Sequence, residues 1–554
     1  MTSPLASSAT RAAAWALELT AIPSVTGTPD EAAFAGRLLA RLAGLPALAD
    51  ARGRAWAVPV PGDALGRAWV AALVPGRGRR TVVLTGHFDT VATDGYGDLA
   101  PLATEPRALN DALSARLAGR GAAATPAEAL ALADLEGGAF LPGRGLLDMK
   151  GGLAAGLAAL EAFAAEPGRE GNLLFLAVPD EEAGSAGARA AAAALPALAL
   201  ELGLSLTAAV NLDAMVDEGD GALARKVALG TVGKLLPSAL VVGRAVHAAD
   251  ALRGVNAVAL AGRIAAAVEW SGTLTERTGD EAAAPPTLLG FKDGRTAYDV
   301  TTPGAAWLYW NVLTHRRGPA EILAALAALC REAVDDHVRR LAERSGVPGW
   351  AAGLSEPVPV LTFAELRREA RDRDPAGFEA RFAALAREVA DRGLDLPEQC
   401  RLLTEHAWAA SGRAGPAVVL GFASVPYLPT TLTGPEGERL EAAVRRAAAV
   451  VAARHGTTIG VSRYFTGISD MSFLGQADPQ AVPSIAANTP AWGVGLDWPT
   501  GSSGIAGVPI VNAGPWGRDY HTPLERVHVG YAFEVLPDLV LTLAKEVLAG
   551  APGE

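Results

Sequence analysis

Apolar residues recur three and four positions apart over residues 9–20 and 30–44, the spacing of two helices that each bury one face. Between them lies Ile22-Pro23-Ser24-Val25-Thr26-Gly27-Thr28, a loop with Thr28 or Asp30 as N-cap of the second helix. The short apolar runs at 69–74 and 81–85 predict buried strands. A helix at 151–165, a strand at 172–178, an Ala-rich helix and a strand at 207–212 follow. This alternation predicts an α/β domain, a mostly parallel sheet with helices on both faces. Residues 92–142 carry turn signals and a weak helical pattern at 107–118, and read as an insertion over one end of the sheet. The order changes near 228. A strand at 238–243, a helix at 248–269, two strands within 286–314 joined at Lys292-Asp293-Gly294 and a helix at 318–345 suit a small antiparallel α+β domain. Residues 360–412 are charged and helical, with no assigned place. A strand at 417–424, a helix at 435–453, a short helix after Gly467-Ile468-Ser469-Asp470, a strand at 508–513 and a helix over 530–548 are expected to resume the first domain. The expected division is therefore 1–228 with 416–554, interrupted by 229–415.

Composition narrows the partners. The 554 residues suit more than one domain, and a net charge of −12 without a dense Lys/Arg block argues against nucleic acid and anionic membranes. The two cysteines, Cys330 and Cys400, are too few and too far apart for a disulfide framework or a cysteine zinc site. Residues 1–10 lack a basic start and an apolar centre, and no uncharged apolar run is long enough to span a bilayer. A soluble cytoplasmic protein is the expectation.

In parallel sheets, ligands bind beyond the carboxyl ends of the strands. His87 and Asp89 follow the strand at 81–85, Glu181 and Glu182 follow 172–178, and Asp213 follows 207–212. Asp148 sits in Gly143-Arg144-Gly145-Leu146-Leu147-Asp148-Met149-Lys150-Gly151-Gly152, where glycine allows close backbone approach and a helix N-terminus favours negative charge. His521 lies in Gly517-Arg518-Asp519-Tyr520-His521-Thr522-Pro523 after the last strand. Two histidines with carboxylates make a nitrogen and oxygen set that suits zinc and tolerates cobalt or manganese. With Asp148 bridging two ions, each would receive one imidazole, one further carboxylate and a shared water that ionises near neutral pH into a nucleophile. Neighbours in extended backbone point to opposite sides, so one of Glu181 and Glu182 can bind metal while the other acts as general base. Asp89 can accept the second imidazole N–H of His87. Each motif alone has an ordinary explanation as a cap, a core histidine or a solvated charge; their order across five segments favours a site.

Gly86-His87-x-Asp89-Thr90, Gly143-Arg144-Gly145-x-x-Asp148-x-Lys150-Gly151-Gly152, Asp180-Glu181-Glu182-x-Gly184, Asp213 and His521-Thr522-Pro523 together resemble the M20 family of metallopeptidases. That family includes co-catalytic zinc aminoacylases, carboxypeptidases and succinyl-diaminopimelate desuccinylases. The length, the insertion at 92–142 and the Arg-Asp-Tyr-His ending look most like its arginine-utilisation RocB branch. The resemblance implies a zinc-peptidase-like catalytic domain with an inserted ferredoxin-like lid and dimerisation domain. It implies that His87 and Asp213 bind one metal, Glu182 and His521 the other, and Asp148 both. Glu181 would be the base and Asp89 the support of His87, with a cis peptide after Asp148. Gly243-Arg244-Ala245-Val246-His247, followed by Gly254-Val255-Asn256-Ala257, is similar to the lid motif whose histidine stabilises the oxyanion in a partner's site, which implies a homodimer and a catalytic role for His247. The family's lid arginine has no clear match; Arg316, Arg317 and Arg463 are candidates by composition only, so the substrate-binding residues stay unassigned. The expected function is di-metal hydrolysis of C–N amide bonds in small substrates, within arginine or amino-acid catabolism. Deacylation of N-acyl-amino acids is the alternative to peptide cleavage, and a non-catalytic metal-binding or regulatory protein is the rival of another class.

Overall fold

The computed structural model describes residues 4–48, 54–295, 297–346, 357–496, 498 and 505–549. It falls into two compact units, one of Met1–Thr231, Thr430–Ala477 and Gly501–Glu554, the other of Val232–Pro429 and Asp478–Thr500.

Among the described residues, the main sheet of the first unit has eight strands. Their order is Arg54–Pro59, Ala68–Val74, Glu170–Val178, Arg77–His87, Ser205–Asn211, Ile510–Asn512, Lys226–Ala228 and Gly460–Ser462. Arg77–His87 runs parallel to Glu170–Val178 on one side and to Ser205–Asn211 on the other, and the latter is parallel to Ile510–Asn512. The two strands at the start of the order are antiparallel additions. The central strands are apolar without alternation because both faces are covered; Val82 to Leu84 and Leu173 to Val178 are all buried. The helix Gly151–Ala165 packs on Pro4–Thr20, Leu536–Leu548 and the central strands. It approaches so closely that a Cβ on Gly152 would stand 2.0 Å from the carbonyl oxygen of Leu212. Thr28 caps the second helix, Pro29–Ala43, by accepting the Glu31 N–H.

The insertion is more ordered than its sequence suggests. The expected weak helix is Pro106–Arg120, and a second, Pro126–Glu136, begins at a capping box in which Thr125 and Glu128 satisfy each other's backbone N–H. Tyr96, Leu109, Leu113, Leu117, Ala131 and Leu135 give it a small core of its own. A separate sheet aligns Phe140–Pro142, Arg526–His528, Trp516–Arg518 and Met215–Val216.

The sheet of the second unit runs Thr287–Asp293, Ala305–Thr314, Pro237–Val242, Ala417–Phe422 and Val360–Thr362. Helices Ala257–Val268 and Pro319–Ser345 pack against it. The charged stretch at 360–412 becomes Phe363–Arg373, Phe378–Asp391 and Leu396–Ser411, whose apolar faces meet Leu240, Trp307, Leu361 and Val419. Three details depart from expectation. The helix at 248–269 is broken into Ala248–Arg253 and Ala257–Val268, because Val255 pairs with Arg244 and Asn256 caps the second piece. Lys292 and Asp293 belong to a strand, and the connection to the next strand spans 294–304. The strand Ala417–Phe422, expected to resume the first domain at 416, pairs antiparallel with Pro237–Val242, so the second unit continues to Pro429. No described helix is long and apolar enough to cross a membrane.

Candidate metal centre

The parallel register brings three donor segments of the first unit to one edge. His87 is the last residue of its strand, paired with Val178, and Glu181 and Glu182 come just beyond Val178. Asp213 follows Ser205–Asn211 on the other side. Asp148 lies in the irregular segment Leu146–Lys150 before the helix Gly151–Ala165, and the Asp148–Met149 peptide is cis, as the resemblance implies. His521 sits in a left-handed turn, φ 62°, after the strand Trp516–Arg518.

Asp148 stands between the two imidazoles. Its Oδ1 is 3.2 Å from His87 Nε2 and its Oδ2 is 3.0 Å from His521 Nε2. His87 Nε2 is also 3.9 Å from Asp213 Oδ1, and His521 Nε2 is 3.1 Å from Glu182 Oε1. Two sets of potential ligands result, His87, Asp148 and Asp213, and Asp148, Glu182 and His521, each with its donor atoms within 4.8 Å of one another. Donors bound at ~2.0–2.2 Å to a tetrahedral ion stand about 3.3–3.6 Å apart. The observed separations bracket that value, and the nitrogen and oxygen chemistry suits zinc, cobalt or manganese. These side chains fit two divalent cations that share Asp148. Glu181 stands beside the sets, its Oε2 3.9 Å from His87 Nε2.

The charges make the same point. Burial works to raise the Asp148 pKa, but His521 and His87 hold it far below the usual carboxylate range. Burial works to lower the imidazole of His521, yet Asp148 and Glu182 lift it to about 10. His87 is raised in the same way, by Asp148 and Asp89 against burial. Burial first, and then neighbouring acids, push Glu181 and Glu182 up and take Asp213 to about 8. Protons here occupy the place that cations would relieve.

Around these donors is a layer of support, part of it unforeseen. The His87 Nδ1 is 3.0 Å from the backbone oxygen of Asp89 and 3.6 Å from its Oδ1. The Asp89 carboxylate also accepts the backbone N–H groups of Glu181 and Glu182, at 3.1 and 3.2 Å, and the Thr26 hydroxyl at 2.8 Å. It therefore fixes the Glu-Glu turn as well as His87. Glu525, fully buried, accepts N–H groups of Gly145, Leu147 and Asp148 at 2.9, 3.3 and 3.5 Å and pairs with Arg144 at 2.5 Å. The only hint of it in the sequence is its place four residues after His521. Lys150, buried, donates to the Ile22 carbonyl at 2.7 Å, and burial lowers its pKa to about 7. Of Ser469-Asp470, which reads as a helix cap, Ser469 accepts the Met471 N–H on its hydroxyl at 3.3 Å, while Asp470 is buried and makes no capping side-chain hydrogen bond; burial raises it to about 7.

His247 belongs to the second unit. It caps Ala248–Arg253 by accepting the Ala249 N–H on Nδ1 at 3.1 Å, and it is exposed. Arg316 and Arg317 donate their backbone N–H groups to Glu276, and Arg317 Nη1 reaches the Thr273 carbonyl at 2.5 Å.

The profile of Peptidase family M20/M25/M40 matches residues 83–490. The chain is 32% identical over 467 residues to YqjN, an uncharacterized protein of Bacillus subtilis (strain 168), with 83% of each chain covered. It is 28% identical over 546 residues to the protein RocB of the same organism, covering 96% of this chain and 94% of that one. The aminopeptidase PepT of Bacillus cereus has a similar fold, with a TM-score of 0.53 and 13% identity over 97% of this chain and 98% of that one. Profile, relatives and site agree, and the chain belongs to peptidase family M20/M25/M40 as a metallohydrolase acting on peptide or amide bonds.

Proposed function

We propose that the protein hydrolyses a C–N amide bond with two divalent cations held by His87, Asp213, Asp148, Glu182 and His521. Zinc is the first choice, and cobalt or manganese are suited to the same donors. The observation that carries this reading is the placement of the two Asp148 oxygens, each against a different imidazole at 3.2 and 3.0 Å. When bound, the cations supply Lewis acidity that lowers the pKa of water and withdraws charge from a carbonyl oxygen.

The chain's own groups do the rest. Glu181, raised by burial, is a base able to take a proton from the attacking water at its carboxylate and hand it to the nitrogen of the leaving amine. Asp89 holds Glu181 and Glu182 through their backbone N–H groups and orients His87. His247 is assigned, by the resemblance, to hydrogen-bond the developing oxyanion, with the second unit acting as lid and dimer contact. The similarity to RocB extends over nearly the whole chain; the resemblance to the arginine-utilisation branch puts the proposed role in cytoplasmic amino-acid catabolism, with arginine-derived amides first among small substrates to test. Hydrolysis rates on N-acyl-amino acids and on dipeptides separate deacylase from peptidase.

Glu181→Gln tests the base. The variant should fold, retain its metals and lose activity by about 10²–10⁴-fold, the range of a general acid-base group. Retained turnover with full metal content would overturn the assignment.

A further inference from the structure

The insertion at 92–142 reaches the metal centre through buried charge. We propose that Asp134, on the insertion helix Pro126–Glu136, is a positioning residue for His521: it anchors the turn that presents this imidazole to the second half of the centre. The inference rests on the two-metal reading above.

Asp134 Oδ2 accepts from Arg518 Nη1 at 2.5 Å and from Arg526 Nε at 2.8 Å, with Arg526 Nη2 at 2.7 Å. Arg526 is wholly buried, and its Nη1 donates to Asp519 Oδ2 at 2.6 Å and to the Leu524 carbonyl at 3.0 Å. Arg518 uses its other nitrogen on the Gly219 carbonyl. One carboxylate oxygen thus gathers two guanidinium groups, and one of these grips Asp519, two residues from His521.

The turn needs such a grip. Asp519 and His521 both have left-handed backbones, at φ 53° and 62°, which residues with a Cβ adopt only at a cost. Thr522 closes the turn by donating its N–H and its hydroxyl to the Asp519 carbonyl, at 3.2 and 2.8 Å. Nothing in that closure fixes the turn to the rest of the unit; the Asp519–Arg526–Asp134 chain does, beside the Asp519 N–H donated to Glu218 Oε1 at 3.1 Å and Arg144 Nη2 donated to the Thr522 carbonyl at 3.4 Å. Its far end is rigid, since Ala131 and Leu135, flanking Asp134 on the same helix, are buried in the insertion's core. Without Asp134, two adjacent cations lose the anion between them and Arg526 is left buried with half its partners. Asp134 touches none of the metal donors, so it acts on His521 through Arg526 and Asp519.

The test is zinc titration of the metal-stripped full chain by calorimetry, with His87→Ala and His521→Ala marking which binding step belongs to which half. Asp134→Ala should weaken the His521 step by about 10–100-fold, as loss of an outer partner does, and leave the His87 step within about twofold. Asp134→Asn should shift the same step by less, and it decides the matter if Asp134→Ala does not fold. Glu136→Ala, exposed on the same helix, should bind as the parent does. Parent affinity at both steps in the Asp134 variants overturns the proposal. So does equal weakening of both steps, which would make Asp134 a residue of the fold only. A parent chain that takes up no zinc overturns the two-metal reading and this inference with it.

Discussion

At the scale of single residues, the proposed centre sets protons against cations. In the metal-free chain, His521 stays protonated up to about 10, since Asp148 and Glu182 outweigh the burial that opposes its charge. Its stabilising effect is complete below the unfolded histidine value of ~6.5 and is lost as the pH climbs through about 10. Asp213 gives the same slope from the opposite charge type. Burial raises it to about 8, so from the unfolded value of ~3.9 up to that point the folded state holds a proton the unfolded state has released. Asp148, held far lower, contributes nothing in this window. The thermal midpoint of the stripped protein should therefore fall between about pH 5 and about pH 8, and the fall should shrink when zinc is bound, leaving the part due to the buried acids Asp470, Glu31 and Glu525. A stripped protein that grows more stable across that range contradicts the account. The side chains that cluster here were legible because each sits in a short motif after a strand or in a glycine loop. Glu525, Asp134 and Arg526 were not, because in sequence a buried charge is indistinguishable from a solvated one until its partner, hundreds of residues away for Glu525 and Arg144, is known.

At the scale of elements, the centre is made by strands of matched register and one helix pressed against them. The Gly151–Ala165 helix can approach only because position 152 has no side chain, and the Leu212 carbonyl it faces immediately precedes Asp213. Gly152→Ala would drive a Cβ to 2.0 Å from that oxygen, a rigid backbone atom. It should destabilise the protein by about 1–3 kcal/mol, read by urea unfolding, and weaken metal binding; unchanged stability would show that helix and strand are looser than described. Most of the first unit's elements follow from apolar spacing. Pro126–Glu136 escaped because its Ala and Leu residues do not gather on one face, so that its Thr125 cap is the stronger signal. The break at Val255 escaped because its cause is a pairing with Arg244, across eleven residues.

At the scale of the whole molecule, order along the chain and membership of a unit are different things. Ala417–Phe422 is buried throughout and would suit either sheet; only its pairing with Pro237–Val242 decides. The helices between 363 and 411 carry amphipathic faces whose target, the Leu240, Trp307 and Val419 surface, lies on strands both before and after them in sequence. Periodicity shows that such a face exists and is silent on what it covers. The insertion shows the same limit in another form: it reads as a cover, and its helix Pro126–Glu136 is tied to the His521 turn by charge.

The central claim is that five side chains from separate segments hold two cations on either side of Asp148. The most direct measurement is anomalous diffraction at the zinc edge from crystals of the zinc-loaded protein. The account predicts two peaks, one between His87, Asp148 and Asp213 and the other between Asp148, Glu182 and His521. A single peak, or zinc bound elsewhere with these side chains turned apart, would contradict it.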